Sequence, residues 1–582
     1  MVLQLFTLLG ALGMFLYGMN LMSAGLQKVA GDKMRHFLSA MTSNRFKSVT
    51  TGLTITSIIQ SSSATTVMVV GFVNAGTMTL LQSVGVIMGA NLGTAVTAWL
   101  TALSTIGDDS SMAWVQWLKT DTWMPILAVI GIILLMFAKR GKNKNIGNIL
   151  LGFAVLMVGM TLMSDAVAPL KSSEQFHSIL TAFENPILGV LVGLVLTVIV
   201  QSSSASVGIL QTLTTTGAIT YAAAIPIIMG QNIGTCITAL LSAISANRNG
   251  KRAAIIHLFF NIIGVAIWLT VYLLVVAIFN ITAVGQIADA WDVALIHTVF
   301  KLLSVLAIAP FYKQLEKLSR VIIRDSKDDK ETENKLDERL FETPSIAVGQ
   351  ATEVAYEMAN ISVLALHKSL AMFDEYDPKT ADEIRAIEDR ADKYEDALGS
   401  YLVKLSSCDL SNKDAVQITK LLHIIGDLER ISDHSINILE SAEELKAKKI
   451  AFSAQATAEM KTMRTAINDI LDITLRSFVE NDVVLATEVE PIEEVVDQLR
   501  DTIKSNHIAR LQKSECTIEH GFILSDMINN FERVSDHCSN IAGCVIEISK
   551  AGVPEMHKYT TELSDSIEFK QKVVYYQQKY TI

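Results

Sequence analysis

Two patterns of hydrophobic and polar positions divide the chain near residue 311. Up to that point, long apolar stretches alternate with short polar loops, and the stretches are long enough to cross a membrane as helices. Beyond it, apolar residues recur every three or four positions among charged ones, as on the buried face of an amphipathic helix. The pattern predicts an all-α protein in which a polytopic membrane part precedes a soluble helical part.

The apolar part contains an internal duplication with an offset of 141 residues. The segment QSSSATT from Gln60 matches QSSSASV from Gln201, and GANLGTAVTA from Gly89 matches GQNIGTCITA from Gly230. The first 22 residues lack a basic leader and a small-residue cleavage site, so they are predicted to begin the first membrane span.

Charged loops indicate that the two repeats have opposite orientations in the membrane. The first loop is predicted to be cytoplasmic because it is basic, with Lys28, Lys33, Arg35, Arg45 and Lys47. The acidic loop at 104–123 is predicted outside and the basic segment at 139–145 inside. The loop at 168–185 corresponds to the first loop but carries little positive charge, so it is predicted outside. Such inverted-topology repeats are typical of secondary transporters.

Each repeat is predicted to contain a re-entrant hairpin and one interrupted crossing helix. The chain must cross the membrane an odd number of times between its first inner and first outer loops, and two apolar stretches fill that interval. One carries QSSS and the other GANLGT, and residues 186–245 repeat this construction in mirror orientation. Unwinding of the second stretch is predicted at its glycines, Gly89, Gly93, Gly230 and Gly234.

The soluble part is predicted to form two three-helix bundles. Helix breaks near Pro378, Ser411, Lys449, Asn481 and Lys513 divide it into six long helices. The segment RDSKDDKETENKLDERLFETP before the bundles reads as a solvated or loosely helical linker. The predicted boundaries are 1–140 for membrane repeat 1, 141–311 for repeat 2 with additional spans near 253–278 and 291–311, 312–344 for the linker, 345–450 and 451–550 for the bundles, and 551–582 for the tail.

The two QSSS segments predict an anion site. An unpaired hydroxyl inside a bilayer costs several kcal/mol, and one explanation is that the serines tighten helix packing and bond to their own carbonyls. Two copies in equivalent positions favour another explanation, in which each segment breaks a helix and exposes the N–H groups of the next half-helix to a small oxyanion such as phosphate. The residues concerned are Gln60, Ser61, Ser62, Ser63, Gln201, Ser202, Ser203 and Ser204.

Side-chain oxygens near these segments predict a site for sodium. Hard cations prefer oxygen ligands, which the two glutamines supply together with Asn91, Thr94, Asn232 and Thr235. Asp165 is the one acidic residue inside an apparent span, so a carboxylate proton relay has little support. His257 and His297 keep proton coupling open, although either histidine can be a packed polar residue.

Four Glu-x-x-x-Asp words in the soluble part predict metal binding. The spacing projects both carboxylates from one helix face, and the residues are Glu388, Asp392, Glu429, Asp433, Glu493, Asp497, Glu532 and Asp536. A solvated acidic face is the alternative for any single word. Two words in each bundle favour an oxygen-ligated ion such as iron, manganese, magnesium or calcium, with His434 and His537 as further ligands or as surface residues.

Charge and cysteine content exclude other classes of protein. Residues 1–311 carry a net charge of +6 and residues 312–582 one of −17, so the soluble part would repel nucleic acid. The five cysteines form no CxxC pattern, which fits a reducing cytosol. No nucleophile with a base and no nucleotide-binding loop is recognisable, so an enzyme is not expected.

These motifs carry two resemblances to known families. QSSSATT, QSSSAS, GANLGT, GQNIGT and NPILGVLVGLVLT resemble the type II sodium/phosphate cotransporter family across residues 1–311. That resemblance implies sodium-driven phosphate transport with both QSSS segments at the substrate and sodium site. The chain departs from the family's HxxFN pattern at Lys301. The pattern has asparagine at that position, as this chain does at Asn261. The near repeat of LERISDH and FERVSDH resembles the PhoU family over about 345–550, which implies metal clusters and regulation of phosphate uptake.

The sequence thus predicts a sodium-coupled phosphate symporter of the cytoplasmic membrane with a cytosolic, metal-binding PhoU-like domain. The cytosolic side is inferred from the basic residues after the last span, Lys313, Lys317, Arg320 and Arg324. The expected partners are phosphate, sodium, the lipid bilayer and a cytosolic regulatory protein, without nucleic acid. Two alternatives stay open: export of phosphate or carriage of another small oxyanion, and a membrane-anchored phosphate sensor or scaffold.

Overall fold

The computed structural model describes residues 2–39, 45–105, 120–138, 141–324, 335–551 and 566–582. They form two compact units, Met1–Ala347 and Val348–Ile582. Helices dominate both units, and in the described part of the chain strand pairing is limited to one isolated bridge between Thr220 and Ile287. The predicted all-α class is confirmed.

The first unit contains the membrane helices. Its helices are α1 (Val2–Ser39), α2 (Arg45–Ile59), α3 (Ser62–Asn74), α4 (Leu80–Ala102), α5 (Thr120–Phe137), α6 (Gly141–Val167), α7 (Glu174–Ala182), α8 (Pro186–Val200), α9 (Ser203–Thr214), α10 (Tyr221–Gly234), α11 (Cys236–Ser242), α12 (Arg248–Phe279), α13 (Ala290–Ile308) and α14 (Tyr312–Ile322). By length and composition, six described helical stretches can cross a membrane, and a seventh is obtained if α7 and α8 form one bent span. The predicted outer loop lies largely outside the described residues, which resume at 120.

The duplication in the sequence is a duplication in the structure. Helices α2 and α8 occupy equivalent residues at the 141-residue offset, and α3 and α9 begin at equivalent serines. The first helices of the two repeats, α1 and α6, cross at the equivalent glycines Gly18 and Gly159. A Cβ atom on Gly18 would lie 2.3 Å from Leu156 N, and one on Gly159 would lie 2.5 Å from Phe15 N. The repeats therefore contact each other through matching small residues.

Helix breaks occur at the QSSS segments, as predicted, but the helices do not unwind at the glycine motifs GANLGT and GQNIGT. Helix α4 is continuous through Gly89 and Gly93, and Thr235, between α10 and α11, keeps helical dihedral angles. The expected unwinding is therefore wrong, and an interruption of the crossing helix is absent from α4 but present as the single residue Thr235 in the second repeat. The glycines permit close helix contact instead: a Cβ on Gly89 would lie 2.0 Å from Val49 O of α2, and one on Gly230 would lie 1.9 Å from Val190 O of α8.

The carboxyl end of the predicted linker packs against the first unit. Residues 325–334 lie outside the described residues, and a short 3₁₀ turn follows at Glu338–Glu342. Leu340 is buried against Gly71, and the Asn74 amide donates to Asp337 Oδ2 at 2.7 Å. A solvated linker was expected there, but these contacts make that part of the segment a component of the fold.

Before the tail, the described soluble helices are the six long ones predicted and one additional short helix. They are α15 (Pro344–Ala371), α16 (Pro378–Ser406), α17 (Asn412–Lys448), α18 (Ala454–Glu480), the short α19 (Val483–Ala486), α20 (Val489–Gln512) and α21 (Ile518–Ala551). Lys449 and Asn481 end their helices in the left-handed conformation, and Ser411 caps α17 by accepting from Asp414 N.

The predicted tail contains one further helix, α22 (Ile567–Lys579). Its Tyr576 hydroxyl lies 3.0 Å from a carboxylate oxygen of Glu488, and the Tyr580 hydroxyl lies 2.7 Å from one of Asp469. These bonds attach α22 to the second bundle.

Candidate functional site

Each QSSS segment forms a sharp break between two helices. Gln60 and Gln201 adopt the left-handed conformation, with φ of 56° and 54°, and their N–H groups still bond to the preceding helix. The next serine caps the following half-helix, since Ser61 Oγ accepts from Ala64 N at 3.1 Å and Ser202 Oγ accepts from Ala205 N at 3.2 Å. The predicted breaks are therefore present in both repeats.

The first turn of each half-helix can offer backbone donors to an anion. Ser62 and Ser63 in α3, and Ser203 and Ser204 in α9, occupy positions whose N–H groups have no partner within their own helix. The helix dipole adds about half a positive charge at that end. Two equivalent breaks thus present N–H groups and hydroxyls with the chemistry that a small oxyanion needs.

Hydroxyl pairs hold the two arms of each hairpin together. Thr56 Oγ1 donates to Thr65 Oγ1 at 3.0 Å, and the equivalent Thr197 Oγ1 donates to Ser206 Oγ at 2.8 Å. All four side chains are buried. The sequence reading missed these pairs, although the 141-residue offset relates them.

Helix α4 connects the two hairpins. Thr97 donates to Gln60 Oε1 at 2.8 Å, and one turn further Thr101 donates to Gln211 Oε1, on α9, at 2.6 Å. The Gln211 amide also donates to Ala98 O at 2.9 Å. Gln211 was missed in the sequence, where only the polar run QTLTTT could have indicated it.

The predicted sodium ligands make different contacts in the two repeats. Gln60 is buried, whereas Gln201 is exposed. The amides of Asn91 and Asn232 donate to carbonyls of their own helices at 3.0 and 2.7 Å. The Oδ1 atom of Asn232 is buried and accepts no hydrogen bond from the described residues, so it is a free oxygen suited to a cation.

The hydroxyls of the two remaining predicted ligands bond to their own helices. Thr94 donates to Ala90 O at 3.3 Å and Thr235 donates to Asn232 O at 2.6 Å. Their oxygens keep lone pairs that can accept or coordinate.

In the second unit, the Glu-x-x-x-Asp words pair within each bundle. Burial and the nearby charges of Asp433 and Asp392 raise the pKa of Glu388. Glu388 on α16 is therefore close to the Glu-x-x-x-Asp motif of α17. Burial, followed by the charges of Glu490, Asp497 and Asp536, raises the pKa of Glu493 to about 8. Glu493 on α20 is therefore close to the Glu-x-x-x-Asp motif of α21. Burial also raises the pKa values of Glu429 and Asp536. Carboxylates that repel one another in this way fit a cation between them.

Arginines contact the same carboxylates. Arg500 Nη1 lies 2.7 Å from Glu532 Oε1 and 3.1 Å from Asp497 Oδ1, and Arg430 lies 3.4 Å from both Glu429 and Asp433. Among the described residues, no group of three or more His, Cys, Asp or Glu side chains has an arrangement that could hold a metal ion. Metal binding therefore stays a prediction, and a bound ion would have to displace these arginines.

The two bundles meet through a symmetric pair of histidines on α17 and α21. His434 Nδ1 lies 2.8 Å from Asn530 Oδ1, and His537 Nδ1 lies 2.8 Å from Asp427 Oδ1. The ring centroids are 5.7 Å apart. Burial lowers the pKa of His434. Both histidines thus have partners across the bundle interface.

Comparison with known proteins assigns both parts of the chain. The Na⁺/Pi-cotransporter family model matches residues 14–165 and 155–290, the two repeats that contain the hairpins. The chain belongs to this family. The PhoU domain model matches residues 355–442 and 460–545, one match in each bundle.

Relatives of this Na⁺/Pi-cotransporter family member include bacterial and animal proteins. YjbB of Escherichia coli (strain K12), whose name proposes inorganic phosphate export, is 24% identical over 552 residues, 94% of this chain and 98% of YjbB. YqeW of Bacillus subtilis, named as uncharacterized, is 32% identical over 254 residues, 44% of this chain and 78% of YqeW. The human sodium-dependent phosphate transport protein 2B is 36% identical over 166 residues, 27% of this chain and 22% of that protein.

Proposed function

We propose that this protein carries inorganic phosphate across the cytoplasmic membrane together with sodium, by alternating access between its inverted repeats. The observation that carries the proposal is the pair of helix breaks at Gln60 and Gln201, where the backbone is left-handed. Each break is followed by a helix whose N-cap and first two residues are serines. Phosphate transport also agrees with the family model and with the names of the relatives.

The anion would bind to the starts of α3 and α9. Backbone N–H groups and serine hydroxyls replace its hydration shell, and both helix dipoles favour its negative charge. Because α4 bonds to both hairpins through Thr97 and Thr101, a movement of α4 would reach both at once. This coupling suits a carrier whose two repeats exchange access to one site.

Sodium would bind through oxygen atoms near the same breaks. Asn232 Oδ1 supplies a free acceptor for the ion. The names of the family and of the human relative support sodium as the coupling ion. The acids within the predicted spans, Asp165 and Asp292, lie near the ends of their helices, so proton coupling through a carboxylate has less support.

Export of phosphate is a second candidate for the direction of transport. It is favoured by the similarity to YjbB, which extends over 94% of this chain and therefore includes the PhoU part. A carrier coupled to sodium can run either way according to the gradients, so both candidates use the same site.

The PhoU unit is proposed to lie in the cytosol and to regulate the carrier. Basic residues at the end of the last span, among them Lys313 and Lys317, support the cytosolic side. The repelling carboxylates of its Glu-x-x-x-Asp words support divalent or iron ions as its ligands. A cytosolic regulatory protein would then respond to the state of this unit.

The test is phosphate uptake into proteoliposomes driven by a sodium gradient. The wild-type protein should accumulate labelled phosphate with sodium outside and not with a proton gradient alone. The double variant Ser62→Ala with Ser203→Ala should lose at least about 100-fold in uptake, because each lost charge-assisted hydrogen bond is worth about 1.5–3 kcal/mol.

A matched control is the double variant Ser83→Ala with Ser319→Ala. Both hydroxyls are buried and donate to their own helices at 2.7 Å, away from the breaks. Normal uptake is expected from it. Undiminished uptake in the first double variant would remove the proposed site.

Binding of phosphate without flux in the wild type would favour a membrane-anchored sensor or scaffold. Competition of sulfate and arsenate with phosphate uptake identifies which oxyanions the protein carries.

A further inference from the structure

A second cluster of buried polar side chains lies among α10, α11, α12 and α13, on helices other than those of the hairpins. Its members are Cys236, His257, Asn261, His297, Lys301 and Ser304, and each is at most 3% exposed. The Lys301 charge is close enough to act on His257, on His297 and on the Cys236 thiol. Asn261 fills one side by donating to His257 O at 3.0 Å and to Cys236 Sγ at 3.3 Å.

Hydrogen-bond donors in this cluster lack acceptors. Within the described residues, no hydrogen-bond partner is present for Lys301 Nζ, for either ring nitrogen of His257, for His297 Nδ1 or for Ser304 Oγ. No described carboxylate is among the charges that act on Lys301. The cluster therefore has a surplus of donors and of positive charge.

Such a surplus is costly unless something balances it. A buried ammonium group without a counter-charge costs several kcal/mol in a protein interior, and buried polar groups are nearly always paired. Lysine brings three N–H donors, each neutral imidazole brings one, and the serine hydroxyl can donate another. A small anion would satisfy these groups together, because each of them can donate a hydrogen bond to it.

The position of Lys301 within the repeat gives it significance. The segment Ala254-x-x-His257-x-x-Phe260-Asn261 of α12 recurs as Ala294-x-x-His297-x-x-Phe300-Lys301 in α13. The asparagine of the first segment has its partners, whereas the lysine of the second has none among the described residues. The replacement adds a charge where the duplicated pattern has a neutral amide.

We propose that Lys301, His257, His297 and Ser304 form a second anion site that binds inorganic phosphate separately from the two hairpins. The proposal goes beyond the transport function above, because its residues belong to other helices and its occupancy does not require the serine site.

The experiment is equilibrium binding of radiolabelled phosphate to the full chain in nanodiscs, in chloride-free gluconate buffer with sodium. The wild-type protein is expected to bind two phosphates per chain. Lys301→Met keeps the side-chain volume but removes the charge, and should bind one. Lys301→Arg should restore two, and Lys313→Met, at an exposed position of α14, should leave two.

Equal stoichiometry in the wild type and in Lys301→Met would overturn the proposal. If Lys301→Met does not elute as a folded monodisperse species, Lys301→Asn, which copies Asn261, takes its place with the same expected loss. The double variant Ser62→Ala with Ser203→Ala should also bind one phosphate. If it binds two while the lysine variant binds one, the hairpin site fails and the lysine site stands.

Discussion

At the scale of single residues, a left-handed backbone conformation occurs at the same position of both predicted breaks. A left-handed conformation costs a non-glycine residue about 1–2 kcal/mol, and Gln60 and Gln201 both adopt it. The strain is maintained by contacts, since Gln60 Oε1 accepts from Thr97 and each following serine caps a helix. Left-handed residues also end helices elsewhere, as at Lys449 and Asn481, so this conformation produces the break and the serines that follow it supply the chemistry.

Glycine contacts give a prediction at the same scale. A Cβ atom on Gly193 would lie 2.0 Å from Ile227 O, a backbone atom that cannot move without shifting α10. Gly193→Ala should therefore destabilise the protein by about 3 kcal/mol or more. Gly13→Ala serves as the control because a Cβ there meets nothing within 4 Å. Thermal unfolding in detergent compares them, and equal melting temperatures would contradict the assigned contact.

At the scale of helices, one buried ion pair connects α18 with α20. Arg510 donates to both carboxylate oxygens of Glu459 at 2.9 Å, and the Asn506 amide donates to the same carboxylate at 2.9 Å. Both charged side chains are at most 5% exposed. Since the arginine would be left buried and unpaired, Glu459→Ala should destabilise the protein by about 3–5 kcal/mol.

The control for this pair is Arg476→Met, which removes an exposed contact to Glu480 at 3.8 Å and should change stability by less than about 1 kcal/mol. Calorimetry of the full chain measures both variants. A loss in Glu459→Ala no larger than that in Arg476→Met would show that the buried pair does not stabilise the bundle.

The pKa of Glu493 predicts a dependence of stability on pH. Its folded-state pKa, about 8, lies above the ordinary value of 4.5 because of burial and neighbouring carboxylates. The folded protein therefore retains a proton that the unfolded chain has released, and stability contributed by this group is lost as pH rises from about 4.5 to 8. Glu493→Gln should raise stability by about 1–2 kcal/mol at pH 8 and change it little at pH 4.5.

Thermal unfolding of the full chain at the two pH values tests this expectation. The neighbouring Glu494 is exposed, so Glu494→Gln should show no such difference. A gain that is the same at both pH values would mean that Glu493 is ionised in the folded protein throughout.

At the scale of the whole molecule, the two units separate two kinds of chemistry. The first holds the hairpins and the second holds the acidic words. Asp433→Ala should therefore leave the rate of sodium-driven phosphate transport within about twofold of the wild type, because Asp433 is not among the residues proposed to bind phosphate or sodium. It should at the same time reduce the manganese or iron that copurifies with the protein.

Transport and metal content measured on the same preparations decide this point. Loss of uptake as severe as in the Ser62→Ala with Ser203→Ala variant would mean that the acidic unit takes part in transport itself. Unchanged metal content would remove Asp433 from the proposed ligands.

The sequence by itself determined the features that local signals encode. The hairpin breaks at Gln60 and Gln201, the equivalence of the two repeats and the six soluble helices all follow from caps, periodicity and a repeated word within short windows. Each such signal acts on neighbouring residues, so it can be read without knowing what packs against it.

The tertiary structure alone decided which distant residues meet. Gly89 lies in a continuous helix because close contact with Val49 requires a missing side chain, and a glycine in the sequence does not distinguish contact from unwinding. Likewise the bonds from Thr101 to Gln211, and the absence of a described acceptor near Lys301, depend on helices separated along the chain. Such contacts arise from packing across the fold, and the local conformational propensities of the sequence do not determine them.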